Sequence, residues 1–193
     1  MLQELLAKSA KEKKVIGSKL IPQIMDELTA LSYDDLVNQM PQFVPKLGSL
    51  LEKRITEIEE VDIDKGTGFV LKYLPPIVQQ VVSSDAEVKN ELAATEDMTI
   101  NLRLGNIAEL AVQIKDGTIS FRPGLGQERD FFVDMSTEKL FSILSGKDDV
   151  LSGFMGGSIQ MWREGDEGDM GKAQDFLPLL TVILEKLGLE RMM

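Results

Sequence analysis

Between residues 98 and 121 the chain alternates apolar and polar side chains with a period of two. MTINLRL puts Met98, Ile100, Leu102 and Leu104 on one side, Thr99, Asn101 and Arg103 on the other. ELAVQIK groups Leu110, Val112 and Ile114, and TISF groups Ile119 and Phe121. Successive strand side chains point to opposite faces, so each segment predicts a strand with one dry and one wet face. Asp116-Gly117 has the residue types of a two-residue hairpin turn. A sheet with one apolar face must be covered on that face by another layer.

The flanking sequence supplies the cover. FVLKYLPPIVQQVVSSDAEVKNELA reads as helix, interrupted at Pro75-Pro76. RDFFVDM adds a strand with Phe131 and Val133 inward. STEKLFSILSG predicts a helix capped by Ser136, with Glu138 near the capping-box position, a stripe of Leu140, Phe141 and Leu144, and Gly146 closing it. DDVLSGFM reads as a second short helix and SIQMW as a fifth strand with Ile159 and Met161 inward. DMGKAQDFLPLLTVILEKLG is a last helix, with a kink expected at Pro178. The order is helix, four strands, two helices, strand, helix: an α+β fold with helices on one face of a sheet.

Residues 1–60 have a different texture. Leu2, Leu5 and Leu6, then Leu20, Ile21 and Ile24, recur at helical spacing, while Gly17, Pro22, Pro41 and Pro45 predict short, broken helices. Leu47, Leu50, Leu51, Arg54, Ile55 and Ile58 suggest one more. DKGTG, residues 64–68, reads as a linker. It divides the chain into a helical extension, 1–66, and an α+β domain, 67–193.

Composition narrows the chemistry. Histidine and cysteine are both absent, which excludes Ser-His-Asp and Cys-His catalysis and makes zinc improbable. A net charge of −11 argues against nucleic acid as a partner. No apolar run is long enough for a membrane span, the start lacks signal-peptide character, and a cytoplasmic location is expected. Residues 1–19 depart from the acidic average, with five Lys against two Glu, a net of +3.

Four segments carry a family likeness: KDG (115–117), SGKDD (145–149), GFMGG (153–157) and GDMGKA (168–173). With this spacing, residues 98–188 resemble the second sterol carrier protein family of lipid-binding domains. Two departures are visible: Ser158 stands where that family usually has lysine, and the turn WREGDEGD is longer than usual. The resemblance implies a mixed five-stranded sheet of order 3-2-1-4-5, helices on one face and an apolar tunnel between the layers. It also implies non-enzymatic binding or transfer of a fatty acid, acyl-CoA, sterol or phospholipid, with no cofactor. The expected lipid-binding residues are Leu102, Val112, Ile114, Phe121, Phe131, Val133, Phe141, Leu144, Phe154, Met155, Ile159, Met161, Phe176, Leu180 and Ile183. These side chains line the interlayer space, or simply fill it. In the second case the fold is an interaction or subunit module. Gly156 and Gly157 are expected to let the short helix abut the fifth strand.

Other motifs are weaker. Glu60, Asp62 and Asp64 evoke a calcium loop, but Lys65 and Leu71 fall at the sixth and twelfth positions, so a solvated linker is the better reading. Gly124-Leu125-Gly126 lacks a dinucleotide setting and reads as a hairpin loop. Asp148, Asp149, Asp166, Glu167 and Asp169 read as acidic surface rather than catalytic carboxylates. Residues 8–19, with Lys8, Lys11, Lys13, Lys14 and Lys19, offer transient contact with an anionic membrane, or a plain charged helix face. Phe132 and Trp162 fall on the wet side of the sheet. The expectation is that the extension covers them or that they form a homodimer patch.

Overall fold

A computed structural model describes residues 2–15, 18–58, 62–127, 129–162 and 171–187, with the backbone alone at Ile58 and Trp162. The alternating segments form β1 (Met98–Leu104), β2 (Ala108–Lys115), β3 (Thr118–Pro123), β4 (Phe131–Met135) and β5 (Ile159–Trp162). They make one sheet of order β3-β2-β1-β4-β5. β1 pairs antiparallel with β2 and parallel with β4, so the sheet is mixed. Asp116 and Gly117 turn β2 into β3 with φ of 49° and 66°, the left-handed pair that a tight hairpin needs.

The helices are α1 (Leu2–Ser9), α2 (Leu20–Thr29), α3 (Tyr33–Glu52), α4 (Ile55–Ile58), α5 (Ile63–Ser84), α6 (Ala86–Ala94), α7 (Thr137–Leu144), α8 (Val150–Met155) and α9 (Gly171–Lys186). Side chains cap several of them. Ser32 accepts from the Asp35 N–H, Asp85 from Glu87 and Val88, Ser136 from Lys139, and Asp149 from Ser152. α5 lies on β2 and β3, and α6 packs against α9.

Three helix boundaries correct the sequence reading. Pro41 and Pro45 do not break the chain but lie inside the 20-residue α3. The buried face of Leu36, Met40, Phe43, Val44 and Leu50 holds that helix together despite the lost backbone donors. Pro75-Pro76 likewise sits inside α5. The expected linker, DKGTG, is the start of α5, nucleated by the Asp62 carboxylate, which accepts from the N–H groups of Asp64 and Lys65. Asp62 is therefore a helix cap, and Glu60, the first residue of the weak calcium motif, lies outside the described residues.

The extension docks on the helical layer and not on the outer face of the sheet. α3 packs against α7 and α5, α2 against α5, and α1 against α2 and α3. Their apolar side chains join those of the sheet in one continuous core. The outer face is crossed instead by the segment after β3. Asn101, fully buried at the centre of that face, donates to the Gly126 carbonyl and accepts from the Gly126 N–H, both at 2.9 Å. Residues 124–126 thus open a crossover from β3 towards β4 and are not the expected hairpin loop. The strand order requires this, because β3 and β4 are separated by two strands.

Candidate functional site

The inner sheet face carries the side chains that strand parity assigns to it. Burial along them is uneven. At one end, Met98, Ile100, Ile114, Ile119 and Phe131 are fully covered. Towards the other, Leu102 and Leu104 of β1, Met135 of β4 and Met161 of β5 are only half-buried, as are Leu144, Phe154, Phe176 and Leu180 of the facing helices, while their strand neighbours Ala108, Leu110, Val133 and Ile159 are fully covered. The Phe131 and Phe176 rings bridge sheet and α9, with centroids 5.7 Å apart and planes at 54°.

Of the expected lipid-contacting residues, Val112, Ile114, Phe131, Val133, Ile159 and Ile183 are buried in the continuous core. Leu102, Phe121, Leu144, Phe154, Met161, Phe176 and Leu180 are half-buried against it. Phe141 is buried but outside that cluster. Met155 is a correction: it is 92% exposed and cannot be part of an interlayer wall. It ends α8, whose covered side is set by Val150 and Gly153, and shares the outward face with Leu151, 42% exposed. Met135 and Ile143 belong to the inner surface but escaped the sequence reading, and Leu104, read as apolar-face, was left out of the lipid-contacting set. Met135 follows the same parity as Val133 and could have been taken from it.

The four motif segments position this surface. Gly153, rather than Gly156 or Gly157, makes the close approach. A Cβ there would lie 2.6 Å from Ile159 Cδ1 and 2.8 Å from Lys139 Cε. Gly157 serves the turn instead, with φ of 72°. After α7, the Lys147 N–H donates to the Ser142 carbonyl at 2.9 Å, closing the helix around Gly146. Lys139 Nζ then forms an ion pair with Asp148, which ties α7 to the start of α8. That ammonium holds the Asp148 carboxyl below the usual carboxylate range, against the opposing pull of burial. Lys172 Nζ bonds the Asp130 carboxylate at 2.8 Å and the Asp97 carbonyl at 3.0 Å, while Asp130 accepts from the Thr99 N–H at 2.7 Å. The lysine of the GDMGKA segment thereby fixes α9 to the starts of β1 and β4, and Ala173 is buried beneath it. Gly168, Asp166, Glu167 and Asp169 lie outside the described residues.

Among the described residues there is no group of three His, Cys, Asp or Glu side chains able to hold a metal. None of the described helices is long and apolar enough to cross a membrane.

Phe132 needs a correction too. It points to the outer face, directly opposite Trp162 in the β4–β5 register. It is only 3% exposed, though, with the Arg103 guanidinium 5.1 Å above its ring. The patch expected to need the extension or a second copy is already covered at Phe132 within one chain.

Residues 78–181 match the SCP-2 sterol transfer family, more than half of the chain. The chain belongs to that family. The match begins within α5 and ends within α9, so it takes in the whole sheet and the inner surface just described. Lipid and sterol transfer is the activity class of the SCP-2 family, and α1 to α4 are additional to its matched region. No curated protein matches the chain in sequence. Two solved structures show a distant likeness. One is a double mutant of the sec-alkyl sulfatase PisA1, at 23% identity and TM-score 0.37, covering 48% of this chain and 14% of that one. The other is the stereoselective inverting sec-alkylsulfatase Pisa1 from Pseudomonas sp., at 15% identity and TM-score 0.33, covering 85% and 30%. The chain thus spans less than a third of either enzyme, and neither TM-score supports a transfer of activity.

Proposed function

We propose that this chain is a non-enzymatic carrier that takes a single lipid between the inner sheet face and α7–α9. The observation that carries the reading is a half-buried subset of the inner face. Leu102, Leu104, Met135 and Met161 are half-buried although parity aims them into the interlayer space. An inner face that keeps part of its accessibility suits an apolar guest, and Met side chains adapt to a guest's shape. The ligand class is a fatty acid, acyl-CoA, sterol or phospholipid. Residues 67–193 are the carrier domain in this reading, and 1–66 an accessory whose docking rests on α5 running across that boundary. A cytoplasmic carrier would load from membranes through electrostatic contact at residues 8–19. Insertion by α1 is disfavoured, because its apolar residues Leu2 and Leu6 are buried within the chain. A homodimer through Phe132 and Trp162 forms no part of this reading.

The second reading, an interaction module with a filled core, draws on Val112, Phe131, Val133 and Ile159, which are fully buried. Mass spectrometry of an organic extract of the purified chain separates the two. Stoichiometric lipid, displaced by a fluorescent fatty acid, supports carriage. Absence of lipid together with no saturable uptake of the fluorescent fatty acid leaves only the module.

A further inference from the structure

One open groove lies away from the carrier domain. It lies in the extension between α1 and α3, has a volume of about 690 Å³, and is lined by Leu6, Ala7, Ala10, Pro45, Leu50 and Ser49, with Gln3, Lys46, Lys53 and Arg54 at its rim. Its floor is apolar, because Leu6 and Leu50 are buried there. Its width comes from small side chains: Ala7, Ala10 and Ser49 stand where larger residues would close two facing helices together. Gln3, Ala7, Ala10, Lys46 and Lys53 are exposed, so the groove is open along its length.

Its charge is opposite to that of the chain. The protein carries −11 overall, yet no carboxylate is among the side chains lining this groove. Arg54 is committed, to Glu57 at 2.7 Å and to the carbonyls of Lys13 and Glu12 at 2.9 and 2.7 Å. Lys46 donates only to the neutral Gln3 amide at 2.9 Å, and Lys53 has no carboxylate partner among the described residues. Seven residues is close to two helical turns, so these two ammonium groups emerge on one side of α3, roughly 10 Å apart along its axis.

We infer that this groove docks an amphipathic helix of a partner protein, one with a small apolar stripe and acidic residues seven apart that meet Lys46 and Lys53. Openness favours a helix over a small amphiphile. A small-molecule pocket encloses most of its ligand, whereas a helix laid in a groove buries one face and leaves the other wet. Two separated ammonium groups set its register, as paired charges do along helix interfaces. The inference is independent of lipid carriage, and the two are read by different measurements.

The test uses the intact chain and two synthetic helical peptides of about 20 residues. Both carry a Leu/Ala stripe; one has Glu and the other Lys at flanking positions seven apart. Saturable binding of the Glu peptide is expected, measured by fluorescence anisotropy. The double variant Lys46→Glu, Lys53→Glu should weaken it about tenfold or more and strengthen the Lys peptide. Ala7→Phe, which fills an exposed part of the groove, should abolish both. Unchanged melting temperatures exclude misfolding in these variants. No binding of the Glu peptide, equal binding of both peptides, or indifference to the charge swap overturns the inference. So does oleate that shifts the Ala7 and Ala10 methyl resonances and displaces the peptide, since the groove would then be a small-amphiphile site.

Discussion

The Tyr33 hydroxyl donates a 2.8 Å hydrogen bond to the Asp85 carboxylate, joining the first turn of α3 to the residue that caps α6. Lys186 of α9 approaches the same carboxylate at 3.5 Å and Glu87 at 2.7 Å. One node therefore holds the extension, the helical layer and the last helix together. Burial and the Asp85 charge push the Tyr33 phenol up to about 12. Because the folded value is raised, its contribution to stability is complete below the ordinary phenol range near pH 10. It is lost as pH rises through about 12. Tyr33→Phe should cost about 1–2 kcal/mol at pH 7. In urea titrations at pH 9 to 12 the difference between the two proteins should shrink. A constant difference would mean that the hydroxyl is not the titrating group.

Two glycines of α5 should respond oppositely to the same substitution. A Cβ at Gly66 would lie 1.9 Å from the Ile107 carbonyl oxygen, whereas one at Gly68 would meet nothing within 4 Å. Gly66→Ala should destabilise by about 1–3 kcal/mol through forced separation of α5 from the β1–β2 turn. Gly68→Ala should stabilise by up to about 1 kcal/mol, because alanine loses less backbone freedom in a helix. Chemical denaturation of the two variants checks both signs.

Asp148 and Lys139 form the latch of α8. The Asp148 carboxyl is held low, chiefly by the Lys139 hydrogen bond, so its contribution is present above the ordinary carboxylate range. It is lost as pH falls through the lowered value. Asp148→Asn should speed amide exchange of residues 150–155 by about tenfold at neutral pH, with little change in β1 or β2. The effect should vanish in strong acid, where Asp148 is itself protonated. Equal protection at neutral pH would show that α8 is held by its contacts with β5 alone.

How legible these features were depended on their range in sequence. Strand parity placed Met98, Ile100, Leu110, Val112 and Phe131 correctly, because a period of two is set by backbone geometry and survives any packing. Ser136 and Asp116-Gly117 were equally readable, each acting within three residues. Pro41 and Pro45 misled because tertiary burial of the face carrying Phe43 and Val44 outweighs local helix breaking. Phe132 was assigned to the correct face but not to its cover, to which Arg103 contributes from two residues along β1 from its pairing partner Asn101. Docking of the extension depends on Gly48, whose Cβ position lies 2.4 Å from the backbone of Leu144. Nothing local marks that contact, which joins residues almost a hundred positions apart. Met155 misled for another reason: α8 has six residues, fewer than two turns, too short for a stripe to reveal its buried side.

That last error yields the sharpest test of the carrier reading, since it separates two residues once assigned to the same wall. Leu180 lies half-buried on α9 against the core, while Met155 is in solvent. Leu180→Trp would occupy interlayer space, at a cost in stability of about 1–3 kcal/mol. Binding of a fluorescent fatty acid should then fall by about tenfold or more, as expected when a guest is displaced from an apolar site. Met155→Ser should leave stability within about 0.5 kcal/mol and the equilibrium affinity unchanged. Its exposed face, shared with Leu151, allows a change only in the rate of uptake from vesicles. If Met155→Ser weakened equilibrium binding as strongly as Leu180→Trp, the guest would have to lie outside α8, and the interlayer site would be wrong.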